Sequence, residues 1–548
     1  MRHRLTRRRT LLLTGRAALG VAMAPRILRS TDPARAANAC GIVIGETTAA
    51  GAGVKILAQG GNAIDAAVAA ALAAAVASPN NCGLAGYGGH MMIALAGGKK
   101  ITAIDFNTAA PAAASADMFG LDEDGAVRER GNEFGWRACG VPGTLAGLQL
   151  AIDRYATKSF RELAAPALEL ARSGFSVSQG LANASRSMAA RLKKDPGSAK
   201  LLLKNGEPYR VGETFRNPDL ANVLETLAKE NSVEPFYRGA IARGITAAFQ
   251  ANGGLLTDRD LSEYQACEVE PLRFDWRGCS VFTAPLTAGG LTVVEALSIL
   301  KALNWAGRPP DPMRAHARVE ALRFAWRDRL QLLGDPEKTQ VPVSRLLSVD
   351  YTRDLAQQIE SAIPEKKALP IQVESRSHGG TVHLSSVDGQ GNMAGITLTH
   401  GNTFGACVTV DGLGLTFGHG LSRFEPRPGH ANSIGPGKRP LHNMCPTVVV
   451  RDGHPVLTLG GAGGRRIVNG VFDTLLPFVA LDASMEAAVA APRLHTEGSL
   501  ELRVERQWPE PEVEYFKSLG FEVLAAPGAK ISAVSFDPKS GECRAASR

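Results

Sequence analysis

The chain lacks the spacings that mark metal and nucleotide sites. Its eight cysteines, at 40, 82, 139, 267, 279, 407, 445 and 543, form no C-x-x-C pair, which argues against a zinc knuckle or a dense disulfide framework. On separation alone, Cys267 and Cys279 are the expected partners of any disulfide. Six of the eleven histidines (378, 383, 400, 419, 430 and 442) fall within 65 residues, yet none shows H-E-x-x-H or another paired-ligand spacing, so no metal and no cofactor are expected. No glycine run is followed by Gly-Lys-Ser/Thr, which removes the phosphate-loop reading. Beyond the first forty residues no apolar run reaches about 18 residues, so no membrane span is expected. The alanine-rich run 65–77 is too short for one and reads as a buried helix. No repeat recurs at a fixed period.

Charge of one sign is also missing, despite a formal net charge of +8. Residues 1–39 hold nine arginines and one acid, Asp32; without them, the 61 basic and 53 acidic residues fall to 52 of each. The basic excess belongs to the leader, and no nucleic-acid surface is expected. Thr6-Arg7-Arg8-Arg9-Thr10-Leu11-Leu12 resembles a twin-arginine export signal, with an apolar stretch behind it and Ala37-Asn38-Ala39 as an A-x-A cleavage site. The expectation is a periplasmic or secreted protein that begins near Cys40.

What is present is glycine, 59 of 548 residues and often in pairs, and a pattern of helices around hairpins. Thr47–Gln59, Asn62–Ala77, Ser159–Arg172, Asp219–Glu230, Gly289–Leu303 and Pro312–Leu333 read as helices. Composition changes at Gly379-Gly380-Thr381. Thr381–Val387 and Met393–Thr399 alternate like strands about a turn at Asp388–Asn392, and Thr447–Val450 with Val456–Leu459 make a second hairpin. A helix starts near Arg465. This order predicts an α/β layered sandwich rather than alternating βαβ units.

The chemistry is expected at Thr381. If the bond before it breaks, the new α-amine, with a pKa near ~8, stands beside its own hydroxyl and can take the hydroxyl proton. Read alone, Gly-Gly-Thr is a loop entering a strand. Around it stand Gly60-Gly61-Asn62-Ala63-Ile64-Asp65-Ala66-Ala67, the glycine-rich Gly83–Met92, Gly140-Val141-Pro142-Gly143-Thr144 and Thr381-Val382-His383-Leu384-Ser385 with Asp388 and Gly391-Asn392. Pro436–Leu441, Met444–Thr447 and Ala491-Pro492-Arg493-Leu494-His495 follow in order. With these motifs the chain resembles the γ-glutamyltranspeptidase family over nearly its whole mature length.

The resemblance implies an N-terminal-nucleophile hydrolase with an αββα four-layer sandwich, cut between Gly380 and Thr381. The products would be a large subunit (40–380) and a small one (381–548), held together as a heterodimer. Thr381 would attack a small amide through an acyl-enzyme, Thr399 would hydrogen-bond the nucleophile, and the backbone of Gly463 and Gly464 would form the oxyanion hole. His383 would be structural.

The donor pocket departs from the family. Asn107 stands where the family has an arginine for the donor α-carboxylate, and Ser422-Arg423 where it has paired aspartates, one for the α-ammonium. His442-Asn443 replace a Ser-Ser pair, His419-Gly420 an Asn-Gln pair, and a family asparagine falls on Gly401 with Asn402 one residue late. Asn107, Asn402, His419, Arg423, His442 and Asn443 are therefore the expected substrate-binding residues. Arg423 would repel an ammonium and attract an acid, pointing to a donor without the α-amine. Two other readings stay open: a true γ-glutamyltransferase or glutathione hydrolase in which other residues replace the missing contacts, and an unprocessed, non-catalytic binding relative.

Overall fold

The structure is a computed structural model; it describes residues 41–371, 373 and 380–548, and the backbone of Leu28–Arg29. The expected leader otherwise lies outside the described residues, as do Cys40 and the segment 374–379.

Two antiparallel sheets stack at the centre. The first runs in the order β2 (Ile42–Ile44), β8 (Gly380–Val387), β9 (Met393–Gly401), β3 (Gly88–Ala94), β4 (Ile101–Asp105) and β5 (Cys267–Val269). The second runs β1 (Leu28–Arg29), β13 (Cys543–Ser547), β12 (Lys530–Phe536), β11 (His454–Ala462), β10 (Thr447–Arg451), β7 (Cys279–Thr283) and β6 (Leu272–Trp276). Strand alternation divides the burial. Leu384, Ile396 and Leu398 pack with the helical layer of α1 (Thr47–Ala58), α2 (Ala63–Ala77), α3 (Thr144–Tyr155) and α4 (Phe160–Ser173), while Val387 and Met393 pack against Val448 and Val534 between the sheets. Leu457 and Leu459 face a third cluster with α5 (Gly290–Ala302), α6 (Pro312–Leu332), α7 (Val349–Glu365) and α8 (Arg466–Ala480). The result is helix, sheet, sheet, helix, as expected.

The glycine-asparagine motif at 60–65 has a physical reason. Asn62 caps α2 by accepting from Ile64 and Asp65 N–H, and Asp65 returns the bond to the Asn62 N–H, a capping box that satisfies otherwise orphaned donors. Asp388, in the turn between β8 and β9, accepts from Ala63 N–H at 3.0 Å and from Asn392 Nδ2 at 2.8 Å. The helix start and the hairpin turn thus hold each other, although 325 residues separate them.

The pairing left open for Cys267 and Cys279 is not formed. The seven described cysteines are all free thiols, and Cys267 and Cys279 lie on strands of different sheets.

Candidate functional site

Thr381 enters β8 at a register break: Gly380 pairs with Gly401 and Val382 with Leu398, leaving Thr381 in the irregularity between. Such bulges re-aim a side chain. Thr381 Oγ1 donates to its own preceding carbonyl, Gly380 O, at 2.7 Å and lies 3.4 Å from Thr399 Oγ1. Thr399 Oγ1 donates to the same Gly380 oxygen and accepts from Gly401 N–H at 2.8 Å. The uncut Gly380–Thr381 carbonyl is therefore approached by two hydroxyls, one of them the expected nucleophile. The turn at Asn80–Asn81, which motif reading missed, flanks it. A Cβ on Gly380 would stand 3.4 Å from Asn81 Oδ1, and the Asn81 and Asn80 carbonyls accept from His400 and Phe404 N–H.

The strand that leads to the glycine pair crosses β9 and β8 from the other sheet. A Cβ on Gly395 would meet Thr458 Oγ1 at 2.7 Å, and one on Gly460 would meet His383 Cε1 at 2.3 Å. Along β11, position 458 thus lies over β9 and 460 over His383. Two residues further β11 ends, at Ala462. Gly463 and Gly464 follow with φ of 139° and 66°, conformations that favour glycine, and α8 begins at Arg466. His383 is buried and bonded to Thr397 Oγ1 at 2.7 Å and Ser385 Oγ at 2.9 Å, a structural role as expected.

A cavity of about 1080 Å³ has His419, Arg423 and Asn443 in its wall, but none of Thr381, Thr399, Gly463 and Gly464. Arg423 donates to Gly401 O, one residue from His400 and opposite Gly380 in the register. The wall also carries residues that sequence reading missed: Arg329, Arg465 and Glu133. Arg465 directly follows the glycine pair and is held by Glu497 at 2.5 Å. Arg329 is buried on α6 and donates to His442 O at 2.6 Å. Burial first, then the nearby Arg465 charge, brings its pKa down to about 10. Burial likewise lowers the pKa of Arg423; the neighbouring Tyr87 acts against this and Arg465 with it. Glu133 is paired with Arg130 through bonds of 3.0 and 2.6 Å. Among the described residues, five arginines and two glutamates line the cavity, an excess of positive charge.

Three expected binding residues are absent from the wall. Asn107 is fully buried and donates to Thr287 Oγ1 at 2.6 Å and Pro440 O at 2.8 Å; it ties two loops together instead of facing a donor. His442 is also buried, 2.9 Å from His90 Nδ1, and contributes its carbonyl to Arg329. Asn402 sits behind Glu133, its Nδ2 3.5 Å from Oε2, and accepts from Thr403 N–H. No group of three or more metal-ligating side chains occurs among the described residues, and no described helix is long and apolar enough to cross a membrane.

Comparison with known proteins agrees with this layout. The family model described as Gamma-glutamyltranspeptidase matches residues 49–548. The Glutathione hydrolase proenzyme of Escherichia coli (strain K12) is 36% identical over 496 residues, covering 87% of this chain and 84% of that protein. The Acylase ACY 1 proenzyme of Pseudomonas sp. (strain V22) is 35% identical over 506 residues, covering 91% and 90%. Among solved structures, cephalosporin acylase from Bacillus halodurans superposes with a TM-score of 0.85 at 25% identity, covering 98% of this chain and 97% of that one. The γ-glutamyltranspeptidase of Helicobacter pylori gives 0.54 at 34% identity, covering 57% and 89%.

Proposed function

The chain belongs to the γ-glutamyltranspeptidase family of N-terminal-nucleophile hydrolases, and from that premise we propose that it is an exported proenzyme that cuts itself before Thr381 and then hydrolyses a small amide through an acyl-threonine. The observation that carries the reading is the convergence of the Thr381 and Thr399 hydroxyls on the Gly380 carbonyl. In the precursor, Thr381 Oγ adds to the Gly380 carbonyl carbon. The C–N bond breaks as the hydroxyl proton passes to the Thr381 nitrogen, giving an ester. Water then hydrolyses the ester, leaving Gly380 as a carboxylate and Thr381 with a free amine. The leader 1–39 would be removed, and 40–380 and 381–548 would remain associated.

In the mature enzyme the α-amine of Thr381 takes the proton of its own hydroxyl as that oxygen attacks the donor carbonyl. Gly463 and Gly464 N–H groups receive the oxyanion; glycine lets backbone approach closely, and such donors gain strength where water is excluded. The proton returns to the leaving amine, and water or a second amine releases the acyl group.

For the donor, the positive cavity supports an acyl chain that ends in an acid and lacks the α-ammonium, with Arg423 and Arg465 as its partners. One observation favours the second reading, a true γ-glutamyl donor. Glu133, on the same wall and within 3.5 Å of Asn402 Nδ2, could take an ammonium by giving up part of its pairing with Arg130.

Intact-mass measurement and denaturing electrophoresis of wild type and Thr381→Ala test the first claim. Two fragments meeting at Gly380/Thr381, with an uncut variant, are expected. A folded wild type that stays as one chain would leave the non-catalytic reading. Paired glutaryl- and γ-glutamyl-p-nitroanilides then separate the two donor classes.

A further inference from the structure

Behind the cavity wall runs a buried chain of polar side chains that the catalytic reading does not use. His90, on β3, lies opposite Asp105 on β4. Its Nε2 is 3.5 Å from Asp105 Oδ1, and its Nδ1 is 2.9 Å from His442 Nε2. Asp105 is also met by Arg439 Nη1 at 3.0 Å and by Asn107 N–H at 2.8 Å. His90 and His442 are both closed to solvent.

The network fixes the protons. His442 Nδ1 accepts from Met444 N–H at 3.2 Å, so the proton of a neutral His442 ring is on Nε2. That proton points at His90 Nδ1, which must then be an acceptor, leaving the His90 proton on Nε2 towards Asp105. One tautomer of each neutral ring makes the His442–His90 bond and the other does not; His90 Nε2 stands 3.5 Å from Asp105 Oδ1 with no hydrogen bond between them.

We propose that His90 is a positioning residue for the donor cavity: as acceptor for His442 Nε2–H it fixes the 439–445 loop, and through it Asn443 and the His442 carbonyl that holds Arg329. The inference rests on the cavity being the donor pocket. The loop backbone is also tied by Arg439 N–H to Asp335 Oδ2 at 2.8 Å, Asn107 to Pro440 O, Leu441 N–H to Asn432 Oδ1 at 3.0 Å, His442 N–H to Thr287 O at 3.1 Å and Gly289 N–H to Met444 O at 2.9 Å. The His442 ring is held at its two nitrogens, by Met444 N–H from within the loop and by His90 from outside it.

The arrangement requires both rings neutral. Protonating His90 would set N–H against N–H across 2.9 Å, and protonating His442 would set its Nδ1–H against Met444 N–H across 3.2 Å. Burial opposes this at His90, with Asp105 favouring the proton and Arg439 opposing it. At His442 burial is joined by His90, Arg329 and Arg423. Tyr87 meets the His442 ring edge-on at 6.1 Å, and Tyr264 flanks Asp105 and Arg439. The neutral chain thus persists below the ordinary histidine range and fails under stronger acid.

The experiment uses the self-processed enzyme and three forms: wild type, His90→Asn, whose Oδ1 can replace Nδ1 as acceptor without titrating, and His90→Phe, which has no acceptor. With ¹⁵N-histidine labelling, wild type at pH 7 should show a two-bond N–N coupling between His442 Nε2 and His90 Nδ1. Hydrolysis of glutaryl- and γ-glutamyl-p-nitroanilide should show KM raised ~10- to 100-fold by His90→Phe with kcat within about threefold. His90→Asn should restore KM at pH 7, and its KM should begin to climb at lower pH than the wild-type value, since only the His442 ring is left to titrate. Absence of the coupling, an unchanged KM in His90→Phe, or one shared acid limb for wild type and His90→Asn would each overturn the inference. Should His90→Phe fail to self-process, the coupling and the acid limb of His90→Asn decide. A processed wild type that turns over neither donor sinks the pocket reading and this inference with it. A working wild type with an indifferent His90→Phe removes the inference alone.

Discussion

The ring of His419 fills the space that any side chain at Gly401 would need: a Cβ there would stand 2.2 Å from His419 Cδ2 and 2.4 Å from Nε2. Gly401 also has φ of +92°, a region that disfavours other residues. The two departures from the family at these positions are thus one change, since an asparagine at 401 cannot coexist with this ring. Gly401→Asn should lower Tm and the fraction of self-cleaved chain, while Gly401→Asn with His419→Ala should recover part of both. A double-mutant cycle should give a coupling of about 1–3 kcal/mol. Additive effects would mean that the ring does not set the residue at 401.

Thr399 donates to the carbonyl that Thr381 must attack, so its hydroxyl should matter before the enzyme matures. Removing one donor to a developing oxyanion typically slows a reaction ~10²- to 10³-fold. Thr399→Ala should therefore accumulate precursor and convert it at a rate lower by about that factor, whereas Thr399→Ser should process within about tenfold of wild type. Time courses of precursor loss on denaturing gels measure both. Equal rates for Ala and wild type would confine Thr399 to packing.

The strand that opens with Thr381 was legible because its signals are local. A glycine pair, a threonine opening an alternating run, and a turn with Asp388 and Asn392 all lie within 15 residues, and the structure returns them as β8, turn and β9. The pocket was legible only in part. His419, Arg423 and Asn443 do reach the cavity, but Asn107 and His442 turn away, because carrying a role across by position assumes that the neighbours are unchanged. Here Asn107 meets Thr287 and the Pro440 carbonyl, and His442 meets another histidine. Glu133 and Arg329 belong to no motif, and only the tertiary fold brings them to the wall. Arg465 could have been found, since it follows the glycine pair directly.

Arg465 also gives a test of charge. A carboxylate-bearing donor should lose affinity when this arginine is neutralised, and a neutral donor of the same length should not. Arg465→Gln should lower kcat/KM for glutaryl-p-nitroanilide by ~30-fold or more, in line with ~2–5 kcal/mol for a truncated buried charge pair. Butyryl-p-nitroanilide turnover should change by less than about threefold. Equal losses on both donors would point to damage at the neighbouring glycine pair rather than to recognition of an acid.

Away from the site, Glu295 on α5 is wholly buried beside Asp328 of α6. Asp328 is already engaged by Arg327 Nε at 2.8 Å and by the Tyr351 hydroxyl at 2.5 Å. Burial, and then Asp328, hold the Glu295 pKa well above the usual carboxylate value, so the native chain binds a proton there that the unfolded chain releases near pH 4. A group whose folded pKa is raised contributes its full stability below the unfolded value and loses it as pH climbs towards the folded one. In the uncut Thr381→Ala background, the urea midpoint should therefore fall between pH 5 and pH 8, and Glu295→Gln should flatten that slope. Glutamine keeps the shape and needs no proton, so the variant should gain most at the alkaline end. A parallel slope in both proteins would place the pH dependence on other groups.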